Sequence, residues 1–271
     1  MKKPTDFISV FFLFSLLLVS SIQAQQSSWK EIDDGLFWTK VAIPKQSDSI
    51  IVIKTDPHFY KFKLLCAGEL GHAGLTAKEW AKKYKLIGVV NAGMFQPDYK
   101  SNVGYMRNFD YFNNPQVNSS YSSVAAFNPK SKDVALFRIF DLDVMPIEKI
   151  EKNYNTIIQN LRLIKRPGKN RWSQQPKKWS EVALGEDKTG NMLFIFSRAP
   201  LSMHDFNKIL LKSPINIVCA QHLEGGPEAS LYFSHKDVKI KVMGSFETSF
   251  NENDDITEFW PIPNVIGIQK R

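Results

Sequence analysis

Apolar residues fall in short runs along this chain, at Ser49 to Ile53, Phe59 to Leu65, Leu86 to Val90, Ser123 to Phe127, Val134 to Phe140, Met192 to Phe196, Ile215 to Cys219 and Val265 to Ile268. Runs of that length between turn-forming residues predict strands. Two other segments carry a helical period behind a start signal: Thr76 with Glu79, and Ser202 with Asp205. A hydroxyl there caps the first free amides and an acid one turn on supports it. The first helix would bury Trp80, Ala81 and Tyr84, the second Phe206, Ile209 and Leu210, and each leads directly into a strand. From Pro146 to Leu161 a third helix competes with irregular chain, because Asn153 and Asn155 weaken helical propensity. Helix followed by strand twice, with neighbouring strands elsewhere, predicts an α+β fold: a single domain with a mixed β-sheet flanked by helices. The polar, aromatic segment Gln96 to Tyr121 is too long for a simple connection and is expected to serve function.

The candidate chemistry sits where the run from Ile215 ends in His222-Leu223-Glu224-Gly225-Gly226-Pro227-Glu228. A strand alternates faces, so His222 and Glu224 are expected on one face. The glycine pair lets a ligand approach the backbone, Pro227 stiffens the turn, and Glu228 would face Glu224 across it. Two carboxyl groups in unlike surroundings suit acid and base work on a glycosyl bond. A hairpin with solvated acids is the competing reading.

Lys2 and Lys3 precede the apolar stretch Phe7 to Ile22, and Gln23-Ala24 follows, the pattern of a secretory signal peptide cut after Ala24. An exported protein, periplasmic or secreted, with a mature domain over 25–271 is therefore expected, without a membrane span after cleavage. The net charge of +8 falls to +7 once Lys2, Lys3 and Asp6 are removed, a modest basicity compatible with an acidic substrate. The one basic run, Arg162 to Arg171, reads as an exposed loop, and no nucleic-acid partner is expected. Cys66 and Cys219 form one disulfide or remain two buried thiols. No spacing demands a metal or cofactor: cysteine pairs, a Walker loop and a Gly-x-Ser-x-Gly elbow are missing.

Asn91-Ala92-Gly93-Met94-Phe95 after one strand, then Gln159, then Ala183-Leu184-Gly185, then Leu223-Glu224-Gly225-Gly226 running to Ser230, resemble in order and spacing the signatures of the phosphodiester glycosidase family. Glu224 stands where that family has Asp, Pro227 replaces a glycine, Glu228-Ala229 replaces part of a Gly-Ser-Ser end, and Trp179-Ser180-Glu181 takes the place of an Arg. The resemblance implies hydrolysis of a glycosyl phosphodiester, with a carbohydrate or sugar-phosphate substrate. Glu224 would stabilise the developing charge on the sugar or activate water, with Glu228 or Glu181 assisting. Asn91, Gly93, Phe95, His222, Gly225, Gly226 and Ser230 would contact substrate, Arg198 would clamp phosphate through its fork, and His204 lies at a helix start that favours an anion. Gln159 and Arg162 join the binding set through the resemblance. The alternative function is a non-catalytic envelope protein that binds a glycan or anionic polymer in the same cleft, and a third is a structural partner in an exported assembly. Neither sugar identity nor oligomeric state is legible.

Overall fold

A computed structural model describes residues 29–271; the leader predicted for residues 1–24 lies outside them. In chain order the strands are β1 (Lys30–Asp33), β2 (Leu36–Ala42), β3 (Ser49–Thr55), β4 (Tyr60–Cys66), β5 (Gly88–Asn91), β6 (Met106–Asn108), β7 (Tyr111–Asn114), β8 (Ser123–Pro129) and β9 (Phe137–Asp141). They continue with β10 (Tyr154–Asn160), β11 (Arg162–Lys165), β12 (Lys169–Asn170), β13 (Trp179–Asp187), β14 (Met192–Leu201), β15 (Ile217–Gly225), β16 (Ser230–His235), β17 (Val238–Met243) and β18 (Asn264–Lys270). The helices are α1 (Ala77–Tyr84), α2 (Ile147–Asn153) and α3 (Met203–Lys212), with a 3₁₀ turn over Gly226–Glu228.

Both expected helix starts form. Thr76 accepts from the Glu79 amide at 3.3 Å while its own amide donates to the Glu79 carboxylate at 2.9 Å, and the Ser202 hydroxyl accepts from the Asp205 amide at 3.2 Å. Each such cap contributes about 1 kcal/mol. The open stretch after Pro146 divides: a short helix uses Ile147 and Ile150 as its buried face, and β10 begins at Tyr154.

The architecture is α+β and mostly sheet, with the strands divided over three sheets and every pairing of the named strands antiparallel. The expectation of one mixed sheet came from the two helix-to-strand passages, and the topology explains why they produce no parallel pair. The α1 crossover joins β4 to β5, but β18 lies between them; α2 joins β9 to β10 around β8; α3 joins β14 to β15 around β13. Each helix returns the chain parallel to where it left, and an inserted antiparallel strand separates the two.

The inner faces of the sheets share one apolar core, in which Leu36, Ile53, Phe194 and Leu223 meet Phe62, Leu64 and Val90 from the second sheet and Ala125, Phe127 and Ile158 from the third. Each helix covers the outer face of its own sheet: α3 with Phe206 and Leu210 over Ala183 and Ile195, α1 with Trp80 over Val89 and Val265, α2 with Ile150 over Val124 and Ile157. Burying one such large side chain stabilises by roughly 2–3 kcal/mol. Trp80 also donates its indole N–H to the Ile262 carbonyl at 2.9 Å, so its polar atom is satisfied inside the core. Cys66 and Cys219 are both free and buried. Among the described residues no helix is long and apolar enough to cross a membrane.

Candidate active site

β5 and β16 pair antiparallel, Val90 opposite Leu231, and this brings the end of the Asn91 strand onto the exit of the glycine turn. The buried Asn91 side chain closes the junction: its amide donates to the Glu228 carbonyl at 3.1 Å and its oxygen accepts from the Ser230 amide at 2.8 Å. Ser230 turns its hydroxyl to the same Glu228 carbonyl at 3.1 Å. Asn91, Glu228 and Ser230 are thus held at one corner. Gly93 is required next to it, since a Cβ there would strike the side-chain oxygens of Asn102 and Asn160. Gln159, fully buried, accepts from the Tyr105 and Asn118 amides at 2.9 Å each and donates to the Asn118 and Tyr121 carbonyls at 2.8 and 2.7 Å. It braces the 103–121 loop instead of facing a ligand.

The acids gather on the other side of the turn. β13 and β15 run side by side with Glu181 opposite Gly225, Val182 opposite Glu224 and Ala183 opposite His222, so Leu223 is the extra residue of a β-bulge. Opposed residues are neighbours across the pair, so the bulge breaks the simple alternation expected for His222 and Glu224, setting His222 beside Ala183 and Glu224 beside Val182 while the imidazole and the carboxyl still act on each other electrostatically. His222 bonds through Nδ1 to Glu181 at 2.7 Å, and the second Glu181 oxygen accepts from the Trp179 indole at 2.6 Å. Both Glu181 and His222 are almost fully buried. Burial alone would strip the proton from His222, but the Glu181 carboxylate, with Glu224 and Glu247, outweighs it and raises the imidazole above its ordinary value.

Among the described residues Glu224 has no cationic partner at salt-bridge distance. Burial pushes its carboxyl up to about 8; His222 and the Gly225 amide, which donates to it at 3.0 Å, pull the other way, while Glu228 and Glu247 add to the rise. Glu228 is also raised, by burial and then by Glu247. Gly226 has φ +60°, and its Cα carries the Glu247 carboxylate directly above it, so no side chain fits. Burial raises Glu247 as well, with His222 and Lys177 opposing. Tyr121, braced by Gln159, approaches Glu224 closely enough that burial and the acid together raise its phenol.

Other expected site residues are committed elsewhere. The Arg198 fork, expected on phosphate, donates to the Met243 and Ile256 carbonyls at 2.8 Å each and pairs with Asp254 at 2.7 Å. Arg162 pairs with Asp141 at 3.2 Å and Asp143 at 2.8 Å, and Arg166 in the same basic run holds the buried Glu186 at 2.6 Å. His204 turns its Nδ1 to the Trp172 carbonyl at 2.7 Å, against β12 and not against the glycine turn. Phe95 is partly exposed and packs on the Tyr99 ring, 5.5 Å between centroids. Tyr121, Trp179 and Glu247 were not anticipated. Tyr121 and Glu247 act on acids that are distant in sequence, and Trp179 matters through Glu181 two residues on, which itself gains its role from His222 on another strand.

A family model described as phosphodiester glycosidase matches residues 84–269, well over half of the sequence. The chain belongs to the phosphodiester glycosidase family. The matched region holds every residue of the acid cluster and the Asn91 corner. No curated protein matches. Among solved structures, the fold is similar to the zebrafish N-acetylglucosamine-1-phosphodiester alpha-N-acetylglucosaminidase catalytic domain auto-inhibited by its pro-peptide: 15% identity, TM-score 0.57, covering 87% of this chain and 82% of that one. It is also similar to a hypothetical protein from Synechocystis, at 12% identity and TM-score 0.59, over 92% of this chain and 64% of that one. At these identities the likeness speaks to fold, and the phosphodiester glycosidase reading of the acid cluster has to stand on its own chemistry.

Proposed function

We propose that this chain is an exported hydrolase, mature over 25–271, that cleaves a glycosyl phosphodiester at the sugar carbon. The observation carrying this is the neutral Glu224 beside the Glu181-held His222 at a turn that Asn91 locks in place. A cluster of ionised acids would repel an anionic diester. A carboxyl whose proton leaves only near pH 8 does not, and it can donate that proton to the departing phosphate oxygen. His222, raised and anchored by Nδ1, leaves Nε2 without a hydrogen-bond partner among the described residues and offers a positive donor to the phosphate. Glu181 acts through His222 and is a positioning residue in this reading. Water attacks the anomeric carbon, the carbon–oxygen bond to phosphate breaks with its electron pair going to the phosphate oxygen, and the products are a free sugar and a phosphate monoester. An ion-paired, closed-off Glu224 would favour the binder alternative; Glu224 has no ion pair among the described residues and keeps partial exposure, which supports the hydrolase reading.

Purified mature protein incubated with a sugar-1-phosphate diester should release the free sugar, and Glu224→Gln should abolish most of that release. No release by the wild type from any glycosyl phosphodiester, with folded protein, would remove the hydrolase reading.

A further inference from the structure

Residues 244–256 form a strap across the acid cluster, and its construction gives Glu247 a fixed place. Gly244 lies so close to the Gly226 carbonyl that no Cβ is tolerated. The Ser245 amide donates to the Ser180 hydroxyl at 3.0 Å and the Ser180 amide to the Phe246 carbonyl at 2.8 Å, so β13 holds the strap at its start. Glu247 bridges Trp179, the Thr248 amide donates to the Lys178 carbonyl at 3.0 Å, and Ser245 ties the far limb through the Asn253 carbonyl and the Ile256 amide at 3.0 and 3.2 Å. Arg198 then spans both limbs, from Met243 to Ile256. A guanidinium buttoned to two carbonyls and Asp254 is a device for holding backbone. What the strap delivers is the Glu247 carboxylate, over Gly226 and near enough to Glu224 to act on its carboxyl.

Resting on the hydrolase reading, we infer that Glu247 is a further catalytic residue, the carboxylate that takes the proton from the attacking water, and that Arg198 is the positioning residue that holds it there. Glu228 is the competing base. Glu247 sits over Gly226 on the strap with His222 and Lys177 favouring its negative charge, whereas among the described residues no cation acts on Glu228. In the step, the water proton passes to Glu247, the Glu224 proton passes to the leaving phosphate, and solvent exchange resets both.

The test compares Glu247→Gln, Glu228→Gln and Arg198→Lys with wild type, each checked for folding by thermal melting, while sugar release is followed across pH. Glu247→Gln should lower kcat by about 10²–10³-fold and erase the acid limb of the pH profile. Arg198→Lys, which keeps charge but loses the fork, should lower kcat several-fold with KM unchanged. A second readout needs no substrate: carbon-13 titration of Glu224 should show its midpoint moving down in Glu247→Gln, because a neighbouring negative charge has gone. Wild-type turnover with full activity in Glu247→Gln, a loss confined to Glu228→Gln, or an unmoved Glu224 midpoint would each overturn this inference alone. A wild type that releases no sugar overturns the hydrolase reading beneath it.

Discussion

Two corners meet at Glu228, and they handle polarity in opposite ways. On the Asn91 side, Asn91, Asn102, Asn114, Asn118 and Gln159 are neutral amides, and nearly every donor finds a backbone acceptor at 2.7 to 3.2 Å. On the Glu224 side, Glu224, Glu228 and Glu247 are raised by burial and by one another, with a single imidazole among them. Amides whose donors are paired in a low-dielectric interior rigidify, even with the buried Asn102 Oδ1 left without a partner among the described residues; crowding lets an acid such as Glu224 hold a proton it would otherwise lose. The amide corner therefore reads as the frame and the acid corner as the machinery. In this chain the Asn-x-Gly signature forms a structural joint.

That division can be broken most sharply at Glu224. Glu224→Gln should cut sugar release by about 10³-fold while leaving the melting temperature equal or higher, since a buried acid becomes a neutral isostere. Gln159→Ala belongs to the frame and should show the reverse emphasis: a loss of about 3 kcal/mol in denaturant titration, because two amides and two carbonyls lose their buried partner. Its activity loss should follow from a displaced Tyr121 and a loosened loop. Asn91→Ala should cost about 2 kcal/mol by the same measurement, from two broken bonds at the junction.

A further effect is expected in pH dependence. Glu224 has a folded value of about 8 against an ordinary 4.5, so between those values the folded state binds more protons than the unfolded chain. Stability attributable to this group is fully present below pH 4.5 and falls as pH rises through about 8. Glu224→Gln should flatten that slope in melting experiments, and an unchanged slope would place the ionisation elsewhere. His222 has the same sign, its contribution present below its unfolded value and lost as pH rises through the elevated folded one.

Much of the frame was legible locally. Thr76 and Ser202 announce their helices because a cap is a contact within one turn, and apolar runs mark the strands because burial is written in composition. Strand order was not legible: the insertion of β18, β8 and β13 inside the three crossovers depends on pairings between distant segments. The bulge at Leu223 breaks the alternation expected for His222 and Glu224, and no local signal announces one added residue. Arg198, Arg162 and His204 have the chemistry to bind an anion, yet each met a protein partner first. Glu247 was invisible for the converse reason, an ordinary acid in a polar stretch that becomes important only when a strap folds it onto Gly226.

The most direct measurement is a crystal structure of the Glu224→Gln variant with an intact glycosyl phosphodiester. The phosphate should lie beside His222 Nε2, and the anomeric carbon between position 224 and Glu247. A diester bound at a site remote from Glu228, with these side chains untouched, would contradict that arrangement.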